Sequence, residues 1–195
     1  MLVKQQAIAT KSGFLKNFIA NPKERKIFSL SLIVTVCLIL AGIFSIFLFR
    51  PQLMAEDIRH YKGTFKQIGS ISRIGFFAVV SMYPVFLILK LKKLKQLKWH
   101  RFELKPLLQI IGKLLRKWHA PIALISTGLV ILHAYMALMR GFKIDFTYIT
   151  GLISILVLLI LLYMGLKRYK RNDNKWHLKL AISFLVLFMI HATFS

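Results

Sequence analysis

The chain has 195 residues, of which 57% are hydrophobic, and its mean hydropathy is +0.63. A soluble domain of this length cannot bury so much apolar surface, so the composition excludes a soluble globular protein and predicts an integral membrane protein. The formal net charge is +23, but the 29 Lys and Arg lie in blocks between apolar runs. That distribution is typical of membrane topology signals and argues against a nucleic-acid-binding protein.

Five apolar runs predict an all-α integral membrane bundle of five transmembrane helices, because a helix needs about 20 apolar residues to cross hydrocarbon. The first run is too long for the apolar region of a cleaved signal peptide and predicts an uncleaved anchor. Residues 50–69 are expected to form a loop, since Pro51 discourages the first helix from continuing. The chain is thus divided into a basic tail, 1–26, and a membrane domain, 27–195, with spans at about 27–49, 70–89, 119–139, 147–166 and 176–194.

Charge alternates along the chain in step with these spans. Strongly basic segments are followed by weakly charged ones, in the order 1–26, 50–69, 90–117, 140–146 and 167–175. By the positive-inside rule, this predicts a multi-pass protein with a cytoplasmic N-terminus and an outer C-terminus. The composition, rich in lysine and isoleucine, favours a bacterial plasma membrane. The leucines of segment 90–117 suggest one or two amphipathic helices at the lipid headgroups. Two interpretations of this segment remain open: a solvated basic loop that binds anionic lipid, or a docking surface for an acidic cytoplasmic electron donor.

Arg73 is the ionisable residue of the second span, one turn inside its predicted outer end. A buried arginine is costly in hydrocarbon and usually has a partner, so it marks a candidate site. Two interpretations remain open: a partnership with an acidic group of a bound cofactor, or a side chain that extends to the headgroups. Pro84, further along the same span, predicts a kink.

Two pairs of histidines share one spacing. His119 and His133 stand fourteen residues apart in the third span, as do His177 and His191 in the fifth. Fourteen residues make about 3.9 helical turns and rise about 21 Å, so each pair occupies nearly one face at two depths. The two helices are expected to run in the same direction, which sets His119 opposite His177 on the inner side and His133 opposite His191 on the outer side.

Facing imidazoles at two depths predict two b-type haems, each bound by one histidine from either helix. A single zinc or copper ion cannot be shared by ligands about 21 Å apart on one helix. The chain has no Cys-x-x-Cys-His motif, so the haems are expected to be non-covalent. Small residues such as Ser126 and Gly128 are expected to let a porphyrin approach the third span, and Phe184 lies seven residues from either ligand of the fifth.

Several cations lie where they could neutralise haem propionates. Arg73, Arg140 and Lys143 are candidates on the outer side. The inner candidates are Lys113, Arg116, Lys117, Lys175 and Lys179. The positive-inside rule accounts equally well for the inner set.

These histidines give the sequence a family resemblance. Lys117-Trp-His119 through Leu132-His-Ala-Tyr135, with Lys175-Trp-His177 through Ile190-His191, resembles the ferric-reductase-like transmembrane domain of ferric reductases, NADPH oxidases and the haem subunit of the bacterial methionine sulfoxide reductase system. The resemblance implies an inner haem on His119 and His177, an outer haem on His133 and His191, and Phe184 as the aromatic residue between them. It covers spans two to five; the family's sixth span and a dinucleotide-binding domain are not found in this sequence.

The sequence therefore predicts a di-haem cytochrome b that passes electrons across the bilayer, a transmembrane oxidoreductase that needs a separate donor. The expected donor is a cytoplasmic flavoprotein or a quinol, and the expected outer acceptor is a ferric chelate, a flavin, oxygen or a protein. The alternative is a non-catalytic cytochrome b subunit of a quinone-linked complex. A haem-free transporter is disfavoured, because no predicted span contains Asp or Glu.

Overall fold

The computed structural model of the chain describes residues 14–55, 58–91, 98–99, 102–139, 141–142, 144–170, 172 and 175–194. Helix dominates this part of the chain, and the sheet in it consists of two-residue strands that pair antiparallel, β1 (Lys98–Trp99) and β2 (Phe102–Glu103). A short 3-10 helix at Phe14–Asn17 precedes the α-helices. These are α1 (Pro22–Leu48), α2 (Arg50–Ala55), α3 (Ile58–Val80), α4 (Met82–Leu89), α5 (Leu104–Met139), α6 (Phe146–Tyr169) and α7 (Trp176–Phe194).

Five helical segments are long and apolar enough to cross a membrane, as the composition predicted. They are Pro22–Leu48, Arg59–Leu89, Leu104–Met139, Phe146–Tyr169 and Trp176–Phe194. Large apolar side chains cover their outer surface, whereas many of the buried positions are small and polar, among them Ser72, Ser126 and Ser154. A surface of large apolar side chains around small polar buried positions is expected for a bundle in lipid and not for a soluble protein. The all-α fold class is confirmed, and the chain is a multi-pass membrane protein.

Local signals account for several helix ends. The Asn21 side chain caps α1 by accepting a hydrogen bond from the Lys23 backbone N–H at 3.0 Å, and Pro22 occupies the first helical position. Asp145 caps α6 in the same way, accepting from the Tyr148 N–H at 2.8 Å. The break between α3 and α4 falls at Ser81, one turn before the proline that predicted a kink.

Two expectations about helix extent were wrong. Residues 50–69 do not form a loop: α2 occupies 50–55, and α3 is helical from Ile58. Residues 104–117 do not form a helix separate from the third span, because α5 begins at Leu104 and continues through Pro106 without a break, while residues 92–97 and 100–101 of the expected amphipathic segment lie outside the described residues. A proline in the first turn removes an N–H that has no helical partner anyway, so it does not interrupt the helix.

Contacts between helices establish their relative directions. Phe65 of α3 meets His133 of α5, while Ser72 meets Ser126 further along, so α3 and α5 are antiparallel. Residues Thr35–Ile39 of α1 approach Gly128, and Gly42 approaches Leu132, so α1 and α5 are parallel. Helices α6 and α7 are antiparallel, since Thr147 meets His191 and Gly165 meets His177. Tyr148 near the start of α6 donates a hydrogen bond to the Ala137 carbonyl near the end of α5, and the ring contacts His119–His177 and His133–His191 make α5 and α7 parallel. The spans therefore alternate in direction, as five successive membrane crossings require.

The bundle packs as two groups of helices. The backbones of α1, α3 and α4 pack closely on α5, and α6 packs closely on α7, whereas α5 and α7 do not approach each other in this way in the described part of the chain. Side chains fill the space between the groups: Phe76 of α3, Leu158 of α6, and Phe184 and Phe188 of α7 form one buried cluster. The candidate site lies along this seam between α5 and α7.

Candidate functional site

The four predicted histidines meet in two pairs across the seam. The ring centroids of His119 and His177 are 6.2 Å apart, and those of His133 and His191 are 6.3 Å apart. All four side chains are half-buried. Fourteen residues separate the two pairs along either helix, so they lie about 21 Å apart along the bundle. We call them the 119–177 pair and the 133–191 pair.

The centroid separations are those that a shared metal ion would need. A metal–imidazole bond is about 2.0 Å long and a ring nitrogen lies about 1.1 Å from its centroid, so two imidazoles on opposite sides of one ion have centroids about 6.2 Å apart. The rings within a pair are steeply inclined, by 64° and 81°. Separations and inclinations of this size match those of two imidazoles that bind one ion from opposite sides.

The donor set distinguishes between kinds of metal centre. Among the described residues, no group of three or more His, Cys, Asp or Glu side chains is close enough to hold a metal ion. A zinc centre takes three or four such ligands, whereas a haem iron needs two axial ligands from the protein and apolar surroundings for its ring. Two isolated pairs with centroids 6.2 and 6.3 Å apart therefore fit haem better than a bare ion.

Hydrogen bonds fix the ring nitrogens of the 133–191 pair. Nδ1 of His133 lies 2.8 Å from the carbonyl oxygen of Phe65, and Nδ1 of His191 lies 3.0 Å from that of Thr147. A carbonyl oxygen only accepts, so each Nδ1 carries the hydrogen and donates it. Nε2 then keeps its lone pair, which is the usual arrangement of a histidine that binds a metal.

The 119–177 pair is held differently. The backbone of Val79 faces the His119 ring, but without hydrogen-bond geometry, and the buried Nδ1 of His119 has no partner among the described residues. Arg168 of α6 is close enough to His119 for their charges to interact. Sequence reasoning did not single out Arg168, because nothing in its own span indicates that α6 delivers it to a ring on α5.

Phe184 occupies the middle of the seam, as its sequence position suggested. Its ring contacts Phe76 at a centroid distance of 4.9 Å and stacks on Phe188 at 5.5 Å with the planes 20° apart. Phe184 is 4% exposed, and Phe76 is 3% exposed. Phe76 was not predicted, because an isolated phenylalanine in an apolar span does not differ in sequence from one that faces lipid.

Arg73 lies deeper than predicted. It is near the middle of the segment Arg59–Leu89, and its neighbour Ser72 donates a hydrogen bond to the Ser126 carbonyl, half-way between the two histidines of α5. Arg73 is half-buried, one turn from Gly69 and one turn from Phe76. It forms no hydrogen bond or ion pair with any other described residue. The outer cation candidates Arg140 and Lys143 lie outside the described residues.

Contrary to expectation, the small residues Ser126 and Gly128 of α5 do not line the seam. A methyl group on Gly128 would meet Thr35 Cγ2 of α1 at 3.0 Å, and Ser126 packs against Gly75 of α3. Successive helical residues rotate by about 100°, so Gly128 lies nearly opposite Ser126. These residues allow close packing of α1 and α3 on α5 instead, whereas Val130 of the same helix packs on the phenylalanine cluster.

Basic side chains collect at the end of the bundle with the 119–177 pair. The inner candidates Lys113, Arg116, Lys117, Lys175 and Lys179 are all exposed there. The amines of Lys179 and Lys167 lie 4.9 Å from the ring centroids of Trp176 and Tyr163, respectively. Tryptophan, tyrosine and lysine together are typical of a membrane–water interface.

Comparisons with known proteins found no relative of this chain. No family model, curated protein or solved structure matches this chain.

Proposed function

We propose that the protein is a di-haem b-type transmembrane cytochrome that passes electrons from a cytoplasmic or membrane donor to an extracytoplasmic acceptor. The observation that carries this proposal is the pair of histidine pairs, with centroid separations of 6.2 and 6.3 Å at two heights of one seam. The resemblance of the two histidine motifs to the ferric-reductase-like transmembrane domain supports it.

Each part of the seam has a task in this proposal. His119 with His177 holds the inner haem and His133 with His191 holds the outer one, and a bound haem iron supplies a one-electron carrier. The Phe76, Phe184 and Phe188 rings fill the space between the two heights and keep water out of it. Because the iron changes charge by one electron, the histidines need only hold it, without donating or accepting protons.

The basic end of the bundle sets the proposed direction. Lys and Arg accumulate on cytoplasmic segments, so the end with the 119–177 pair is assigned to the cytoplasm of a bacterial plasma membrane. A flavoprotein or a quinol would deliver electrons there. The opposite end has fewer cations, and a ferric chelate, a flavin, oxygen or a partner protein would receive electrons there.

An optical spectrum tests the proposal. The purified protein should show the sharp α-band of low-spin b haem after reduction with dithionite, and should contain two non-covalent haems for each chain. Exposed His60 is not expected to contribute a ligand. A colourless protein, or a haem that remains attached after acid–acetone extraction, would contradict the proposal.

Arg73 is expected to interact electrostatically with the outer haem. Its half-buried position near mid-span leaves the headgroups far away, and one of the acidic propionates would supply the partner that it lacks among the described residues. Replacement by glutamine removes a positive charge that favours the reduced iron, so the midpoint potential of one haem should fall. Redox titration of Arg73→Gln beside Arg59→Gln, an exposed position of the same helix, measures this. If the two variants gave the same titration curves, Arg73 would interact with lipid headgroups and not with a haem.

A further inference from the structure

The two histidines of the 133–191 pair rest on neighbouring helices in the same way. His133 donates to the Phe65 carbonyl of α3, and His191 donates to the Thr147 carbonyl of α6. Four residues after each carbonyl comes a glycine, Gly69 or Gly151, against which the same ring packs. Residues four apart lie one above the other on a helix face, so a ring lying over the glycine reaches the carbonyl.

The absence of a side chain at these glycines makes room for the rings. A methyl group on Gly69 would lie 3.0 Å from Nδ1 and 3.1 Å from Cε1 of His133. A methyl group on Gly151 would lie 2.9 Å from Cε1 and 3.0 Å from Nδ1 of His191. Carbon atoms normally approach no closer than about 3.5 Å, so either methyl group would push its ring away from the carbonyl.

The arrangement is tighter at this pair than at the other. Gly165 lies beside His177, but a methyl group there would be 3.5 Å from Cε1, which is an ordinary contact. Of the three glycines that pack against a paired histidine in the described part of the chain, a methyl group would overcrowd two, Gly69 and Gly151, and would be tolerated at Gly165. Gly63, on the same helix as Gly69, has nothing within 4 Å of the added carbon.

We propose that Gly69 and Gly151 are positioning residues that seat His133 and His191 on backbone carbonyls, so that both rings turn Nε2 toward the space between them. For its effect on haem, this inference rests on the proposed function. A hydrogen bond from Nδ1–H makes imidazole a more basic ligand. A more basic ligand favours ferric iron and lowers the midpoint potential of the haem that it binds.

Alanine scanning of four glycines tests the proposal on the protein as purified. Gly69→Ala and Gly151→Ala should each raise one of the two midpoint potentials, the same one in both variants, and leave the other unchanged. Gly165→Ala and Gly63→Ala should leave both unchanged, and Gly63→Ala also controls for the higher helix propensity of alanine. The proposal is overturned if Gly69→Ala and Gly151→Ala both have the midpoint potentials of Gly63→Ala. It is also overturned if both midpoint potentials change in each of these two variants. Because the two glycines are on different helices, either variant suffices if the other does not fold.

A second measurement does not depend on haem. Nitrogen NMR of ¹⁵N-histidine-labelled protein, reduced with dithionite, should show protonated Nδ1 for His133 and His191, with His133→Ala identifying one signal. Protonation of Nε2 in both rings would overturn the positioning role whether or not haem is present. A colourless protein with protonated Nδ1 would refute the proposed function and leave this inference standing.

Discussion

Alanine at any one of the four paired histidines is expected to halve the haem content, from two haems for each chain to one. Each iron would take one ligand from α5 and one from α7, so removal of a single imidazole leaves its haem bound from one side only. The centroid distances of 6.2 and 6.3 Å assign His119 to His177 and His133 to His191. The haem extracted from a known amount of each purified variant measures the result.

Double variants make the same experiment a test of pairing. His119→Ala combined with His177→Ala should keep one haem, whereas His119→Ala combined with His133→Ala should keep none. His60→Ala is the matched control, because His60 is an exposed histidine of α3 outside both pairs. It should keep two haems. Loss of both haems from every single variant would mean that the histidines hold the bundle together rather than hold separate cofactors.

The spacing of the histidines could be interpreted from sequence because helix geometry is regular. Two side chains fourteen residues apart lie on nearly the same face of a helix. The histidines of two helices with this spacing can therefore face each other in two pairs if the helices are parallel. The described helices meet this condition: neighbouring spans alternate in direction, and the contacts His119–His177 and His133–His191 show that α5 and α7 run the same way.

Sequence reasoning could not find what supports the rings. The carbonyls of Phe65 and Thr147 are backbone atoms of other helices, and every residue has a backbone carbonyl, so the sequence does not mark these two. The adjacent glycines, Gly69 and Gly151, have no distinctive neighbours in sequence. A glycine in a membrane helix ordinarily allows close helix packing, as Gly128 does here. Only the fold shows that Gly69 and Gly151 lie against histidine rings instead.

The start of the second span was predicted wrongly for a different reason. Residues 58–69 contain charged and polar side chains, so a search for apolar runs begins the second span at about 70, although α3 is already helical from Ile58. The correction changes the interpretation of Arg73, which moves from one turn inside a predicted end to the middle of a longer segment. At that position, the proposed pairing with a haem propionate accounts for Arg73 better than a side chain that extends to the headgroups.

The largest functional effect is expected in sealed vesicles. Protein reconstituted around trapped ferricyanide should let dithionite added outside reduce it, because two haems at heights about 21 Å apart together bridge a hydrocarbon core about 30 Å thick. Alanine at His119, His133, His177 or His191 should reduce the rate to that of protein-free vesicles, since one haem cannot reach both surfaces. His60→Ala should retain the full rate. Wild-type protein that binds two haems but does not reduce the trapped ferricyanide would favour the non-catalytic cytochrome subunit, because the same ligands would then hold cofactors that need a partner protein to complete the path.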